Sequence, residues 1–139
     1  MGAGRIALNS SSFEKTDDGN RQFSIGEAAE RLGVSVHTLR YYERTGLLQM
    51  VPRKRNGHRL YGAGDFHWIS LLLCLRASGM PIADLRRFSE MIRRGEVSIP
   101  DRIEFLQKHR EKLDADMKTL RAAMIVVDEK LKKYRKTIT

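Results

Sequence analysis

The densest chemistry in this sequence lies between Ser35 and Tyr61. Arg53, Lys54, Arg55, His58 and Arg59 flank Asn56-Gly57, and no acidic residue occurs from Gln49 to Gly64. Asn-Gly is the strongest short-range signal for a two-residue type I′ turn, because both central positions need positive φ. The stretch reads as a hairpin carrying cationic donors, which is the chemistry that grips phosphate oxygens. The bland alternative is a solvated loop, or a basic targeting patch of the Arg53-Lys54-Arg55 kind. Just upstream, Ser35 begins a helical pattern with Val36, Leu39 and Tyr42 on one side. His37, Thr38, Arg40, Tyr41 and Arg44 are left for the outer surface. Arginine and threonine there can reach base edges, whereas tyrosine hydroxyls and hairpin arginines suit a sugar-phosphate backbone.

The elements that position these groups have local signals. Ser24 with Glu27 three residues on forms a capping box, after which Ile25, Ala28, Ala29 and Leu32 recur at helical spacing. Gly33 ends that helix, Ser35 caps the next and Gly46 stops it. A tight helix pair followed by a hairpin is the outline of a winged helix-turn-helix, a unit that sets one helix in the DNA major groove. A further helix is predicted over Ala63–Ser78, with Asp65 near its positive end and Gly79 closing it. Pro81 opens another, with Ile82, Leu85, Phe88, Met91 and Ile92 on a stripe that stops near Gly95.

From Pro100 the period changes. Ile103, Leu106, Arg110, Leu113, Met117, Leu120, Met124, Val127, Leu131 and Tyr134 alternate steps of three and four without a slip, and only Arg110 is polar. Such a stripe marks a coiled-coil seam. Nothing else in the chain is long enough to cover it, so a second copy is expected, with Leu106, Leu113, Met117, Leu120, Met124, Val127 and Leu131 at the contact. The pattern leaves the relative direction of the two helices open.

Charge and length narrow the rest. The chain has 139 residues and a formal net charge of +9, which favours a polyanionic partner. One cysteine gives no intrachain disulfide framework and suits a reducing cytosol. The longest apolar run, Ile69 to Leu75, is too short to span a bilayer and is broken by Ser70. No secretory signal stands in residues 1–22, whose three basic residues are balanced by three acidic ones. That stretch reads as a disordered extension. The histidines, His37, His58, His67 and His109, have no spacing to cysteine or carboxylate that builds a catalytic or metal site. An enzyme is therefore not expected, and no cofactor is implied.

Thr38-Leu39-Arg40-Tyr41-Tyr42-Glu43, then Gly46-Leu47, then Arg55-Asn56-Gly57-His58-Arg59-Leu60-Tyr61 resembles the MerR family of bacterial transcriptional regulators. The likeness runs in the family's order from about Phe23 to the C-terminus. It implies a mainly α fold: a winged helix-turn-helix DNA-binding domain, a second helix pair and a long dimerisation helix that forms an antiparallel coiled coil. The expected divisions are an extension over residues 1–22, a DNA-binding domain over 23–96 and the dimerisation helix over 97–139. The implied partners are an inverted-repeat operator in double-stranded DNA, a second copy of the chain, and RNA polymerase at the promoter, in the bacterial cytoplasm. By motif position, His37, Thr38 and Arg40 are the expected base-proximal contacts. Tyr41, Tyr42, Arg53, Arg55, His58, Arg59 and Tyr61 are the expected backbone contacts, with core packing as the rival role for Tyr42. His58 departs from the aromatic or arginine residue often found there in relatives.

Cys74 has two readings. Free cysteine commonly just packs, and neither Arg76 nor His67 is placed to activate the thiol. However, Cys74-Leu75-Arg76-Ala77-Ser78-Gly79-Met80 resembles the aldehyde- and electrophile-responsive (AdhR/NmlR-type) branch, where the matching cysteine is the proposed sensor. Metal-sensing relatives carry paired cysteines at the end of the dimer helix, and Leu131 to Thr139 has none. Two further readings stay open: a regulator or repressor of the same fold with Cys74 purely structural, and, more distantly, a coiled-coil interaction adaptor.

Overall fold

Ser24 starts the first helix as its spacing predicts. Its hydroxyl accepts from the Glu27 N–H at 3.3 Å, and the Glu27 carboxylate reaches back to the Ser24 N–H at 3.4 Å. Helix α1 (Ile25–Leu32) follows, buries Ala28, Ala29 and Leu32, and ends at Gly33 with φ of 72°. A left-handed residue there costs glycine little and any side chain more. Ser35 then caps α2 (Val36–Arg44) by accepting from the Thr38 N–H at 3.1 Å. These features belong to a computed structural model that describes residues 22–48, 57 and 59–139.

Helix α3 (Ala63–Ala77) begins where the Gly62 N–H donates to Asp65 Oδ2 at 2.8 Å. It buries Phe66, Ile69, Leu72, Leu73 and Leu75, and α4 (Ile82–Arg93) follows the turn at Gly79 and Pro81. Helix α1 packs on α2 and α3, and α3 packs on α4. Two long-range bonds pin the chain leaving α2. Trp68 Nε1 donates to the Leu47 carbonyl at 3.1 Å, and Arg86 Nε donates to the Thr45 carbonyl at 3.0 Å. Leu47 and Leu48 are buried beneath them.

Among the described residues the only extended pairing is a single antiparallel bridge, Phe23 to Tyr61, with both N–H···O distances at 2.8 Å. It ties the entry to α1 to the entry to α3. Gly57 has φ of 85°, and the rest of the expected Asn-Gly hairpin, residues 49–56 and 58, lies outside the described residues. So do residues 1–21 of the expected extension.

The chain divides after Arg93 into two compact units. The second holds a 3₁₀ turn (Gly95–Ser98) and α5 (Ile99–Thr137), whose 39 residues extend about 58 Å at 1.5 Å each. Arg102 locks the turn, donating to Ser98 Oγ at 2.9 Å and to the Gly95 carbonyl at 2.6 Å. Pairs such as Lys112–Asp116 at 2.8 Å decorate its solvated sides. No α5 residue is buried, and Ile103, Met117, Leu120, Met124, Val127 and Tyr134 are each about half exposed or more. No helix among the described residues is long and apolar enough to cross a membrane.

This packing makes a direct expectation. Leu39 on α2 is fully buried, so Leu39→Ala should lower the unfolding free energy by about 2–5 kcal/mol. The adjacent Arg40→Ala, on an exposed residue, should change it by less than about 0.5 kcal/mol. Urea denaturation followed by fluorescence of Trp68, the sole tryptophan, reads both. Equal effects at the two positions would contradict the burial pattern.

Candidate nucleic-acid interface

Helix α2 carries its apolar and polar groups on different sides. Leu39 and Tyr42 face inward, while His37, Arg40, Tyr41 and Arg44 are exposed. Thr38 is half-buried, and its hydroxyl lies 3.0 Å from that of Ser35, so it is shared with the helix cap. The one acidic residue on α2 is Glu43. Its carboxylate does not join the outer face.

Glu43 turns instead to the chain that leads into α3. The Tyr61 hydroxyl donates to Glu43 Oε1 at 2.6 Å, and Arg59 Nε stands 4.0 Å from the same oxygen. Tyr61 is fully buried and Arg59 is 7% exposed. The distance from Arg59 to Glu43 exceeds a hydrogen bond, and Arg59 Nε has no hydrogen-bond partner among the described residues. Arg59 Nε therefore lies near the Glu43 carboxylate without donating a hydrogen bond to it.

The tyrosines feel this environment. Burial, then the hydrogen bond to Glu43 and its negative charge, hold the Tyr61 hydroxyl well above the ordinary tyrosine range, with Arg59 opposing. Burial likewise raises Tyr42, against the opposing charge of Arg76. Around the same corner, Phe23 meets Phe66 edge-on at 5.4 Å, and the Arg31 guanidinium lies 4.1 Å from the Phe23 ring centre.

Three of the residues expected at the DNA backbone are buried in the structure. Tyr61 and Arg59 do not present their side chains to a backbone on the surface. They share one face of an extended segment, and that face is the inner one. Tyr42 is 4% exposed and takes the core role. His37, Arg40 and Tyr41 are on the surface together, with Thr38 partly beneath them. Arg53, Arg55 and His58 lie outside the described residues. Glu43 is not among the expected site residues, although it is the one carboxylate on α2.

Cys74 is a free, half-buried thiol on α3, between the buried Leu73 and Leu75. Arg76 is occupied elsewhere, donating to the Met80 carbonyl at 3.2 Å. Among the described residues no group of three histidine, cysteine or carboxylate side chains could hold a metal ion.

The comparison with known proteins fits this arrangement. Residues 24–61 match the MerR family regulatory protein pattern. An uncharacterized HTH-type transcriptional regulator of Haemophilus influenzae is 32% identical over 114 residues, spanning 82% of this chain and 84% of that protein. The chain belongs to the MerR family. It is also similar to the transcriptional regulator AdhR of Bacillus subtilis, at 34% identity over 65% of this chain and 64% of AdhR. Among solved structures it resembles HiNmlR, a MerR family regulator lacking the sensor domain, bound to promoter DNA. That likeness has a TM-score of 0.78 at 32% identity, over 84% of this chain and 92% of HiNmlR. The helical fold with a long C-terminal helix is thus that of a MerR family transcriptional regulator.

The raised tyrosines set an alkaline limit. A group whose native pKa lies above its unfolded value contributes stability in full below the unfolded value, about 10 for tyrosine, and loses it as pH rises toward the native one. Wild-type unfolding free energy should therefore fall as pH climbs above about 10, and fall less steeply in Tyr61→Phe. Tyr42 contributes with the same sign in both proteins. Denaturant titrations from pH 8 to 11 compare the slopes, and identical slopes would contradict the environment assigned to Tyr61.

Proposed function

We propose that this MerR family regulator works as a homodimer that binds an inverted-repeat operator in double-stranded DNA and distorts it to control transcription by RNA polymerase. The observation that carries the reading is the outer face of α2, where His37, Arg40, Tyr41 and Arg44 stand exposed with no carboxylate among them. On a duplex, Arg40 with His37 and Thr38 addresses base edges, and Tyr41 with Arg53, Arg55 and His58 holds phosphates. The exposed apolar stripe of α5, from Ile103 to Tyr134, is the dimer seam. Pairing two such helices antiparallel gives a two-fold axis, and a two-fold protein reads a two-fold site. HiNmlR, solved on promoter DNA without a sensor domain, supports the same role for a chain that covers nearly all of it.

The signal is read through Cys74 in this proposal. The thiol lies half-buried on the helix that follows the basic segment, so an electrophile such as an aldehyde that adds to it alters the packing of α3. Bending and untwisting an operator costs on the order of 1–6 kcal/mol, a scale that a modest change in packing supplies or withdraws.

Two experiments test this. Leu120→Lys should convert the dimer to a monomer in sedimentation equilibrium and cost at least tenfold in affinity for a two-half-site duplex; an unchanged mass would remove α5 as the seam. Run-off transcription from the protein's own promoter region, with and without formaldehyde, compares wild type with Cys74→Ser. Induction of the wild type alone, with equal DNA binding by both, makes Cys74 the sensor. Equal responses make the thiol a packing residue in a regulator that answers to another effector or to none.

A further inference from the structure

The apolar stripe of α5 reads the same from either end. From Ile99 to Ile138 its positions alternate steps of four and three, and the pattern is symmetric about the point between Lys118 and Thr119. Met117 and Leu120 flank that point, and Ile103 and Tyr134 stand at equal distances beyond it. The same point lies within a residue of the middle of the helix, which runs from Ile99 to Thr137. Two copies laid antiparallel about this centre face every stripe position with another stripe position: Met117 meets the partner's Leu120, and Ile103 meets the partner's Tyr134. Those four side chains are each about half exposed or more in one chain, so this pairing covers them. Sliding one helix by a heptad leaves stripe residues at both ends uncovered.

Charge selects the same arrangement. Asp114 and Arg121 follow Leu113 and Leu120 directly and line one edge of the stripe. In the centred register Asp114 stands beside the partner's Arg121, offset by about 3 Å along the axis, and the two-fold repeats the pair. A slip of one heptad in one direction brings Asp114 beside the partner's Asp114. A slip in the other brings Arg121 beside the partner's Arg121. Each slip exchanges attraction for repulsion, which is how edge charges choose a register. A parallel pair fares worse, because Arg110, the one polar residue of the stripe, would face the partner's Arg110. It would also overlay two copies of residues 120–139, which hold six lysines and arginines against two acidic residues. In the antiparallel pair Arg110 faces the partner's Val127, where its stem covers apolar surface and its guanidinium reaches water. Within one chain Asp114 pairs with Lys118 at 3.1 Å, both side chains being more than half exposed, and Arg121 makes no ion pair among the described residues. We propose that two copies of α5 pair in the single antiparallel register centred between Lys118 and Thr119, and that Asp114 and Arg121 are the residues that select it. This rests on the dimer reading above and goes beyond it in assigning the register and its determinants; the test separates the two.

Full-length Asp114→Arg, Arg121→Asp and the double exchange are compared with wild type by sedimentation equilibrium. Each single change turns both edge pairs into like charges and should raise the dimer dissociation constant roughly tenfold, and the double exchange should restore it. Asp114→Arg also removes the Lys118 pair, so an equimolar mixture of the two single variants decides. One copy then offers arginine at both edge positions and the other offers aspartate at both. Native mass spectrometry should find heterodimer well above the statistical half. A second readout uses Leu113→Cys with Met124→Cys in a Cys74→Ser background, oxidised with glutathione disulfide. These positions lie about 16 Å apart on one helix, too far to bridge within a chain, and face each other only across the centred register. Peptide mapping should find position 113 joined to position 124 of the other copy. Links between two copies of position 113, or a statistical mixture with unweakened single variants, would overturn the register while leaving the dimer intact. A wild type that sediments as a monomer at every concentration would overturn the dimer reading and the register with it.

Discussion

The hydrogen bond from Tyr61 to Glu43 is the interaction on which the arrangement of the first unit turns. It is 2.6 Å long and spans 18 residues of sequence, from the third turn of α2 to the residue before the Gly62 cap of α3. Three chain segments converge on Tyr61: the entry to α1 through the Phe23 bridge, α2 through Glu43, and α3 through the Gly62–Asp65 cap that follows at once. The ring is fully buried, so its hydroxyl needs a partner, and an ionised carboxylate is a strong one. One contact thereby places the cationic face of α2 and the end of the basic segment in one frame. The other bonds at the end of α2, from Trp68 and Arg86, hold the far side of that frame.

The second unit follows a different physical rule. Helix α5 buries none of its residues within one chain and exposes an apolar stripe along most of its length. A stripe of that extent is stable in water only when covered, and the uninterrupted heptad makes a second copy the natural cover. On the reading proposed above, DNA contact and pairing are carried by separate parts of the chain. Substitutions that break the pairing need not unfold the first unit, although they weaken binding to a two-half-site duplex.

Much of this was legible in the sequence because it is encoded locally. Ser24 with Glu27, Gly33, Ser35 and Pro81 each fix a helix end within four residues, and the structure ends its helices there. The α5 pattern is equally local, since a period of seven needs only neighbouring turns. The corner around Tyr61 was not legible in the same way. Residue type argues for exposed arginine and interfacial tyrosine, and contact with Glu43 depends on tertiary approach across the intervening segment. The usable hint was alternation: Arg59 and Tyr61 share one face of an extended strand, so burial of one commits the other. Tyr42 had both roles open, and its position three residues after Leu39 on the buried side of α2 decides for the core. Glu43 was legible only as an anomaly of charge on a cationic helix.

The measurement that bears most directly on this frame is amide hydrogen exchange in wild type and Tyr61→Phe. Without the hydroxyl, the Phe23 and Tyr61 amides that close the bridge should exchange roughly tenfold faster, the factor that about 1.4 kcal/mol represents. If both amides exchange at the wild-type rate, then the Tyr61–Glu43 bond does not hold these segments in one frame.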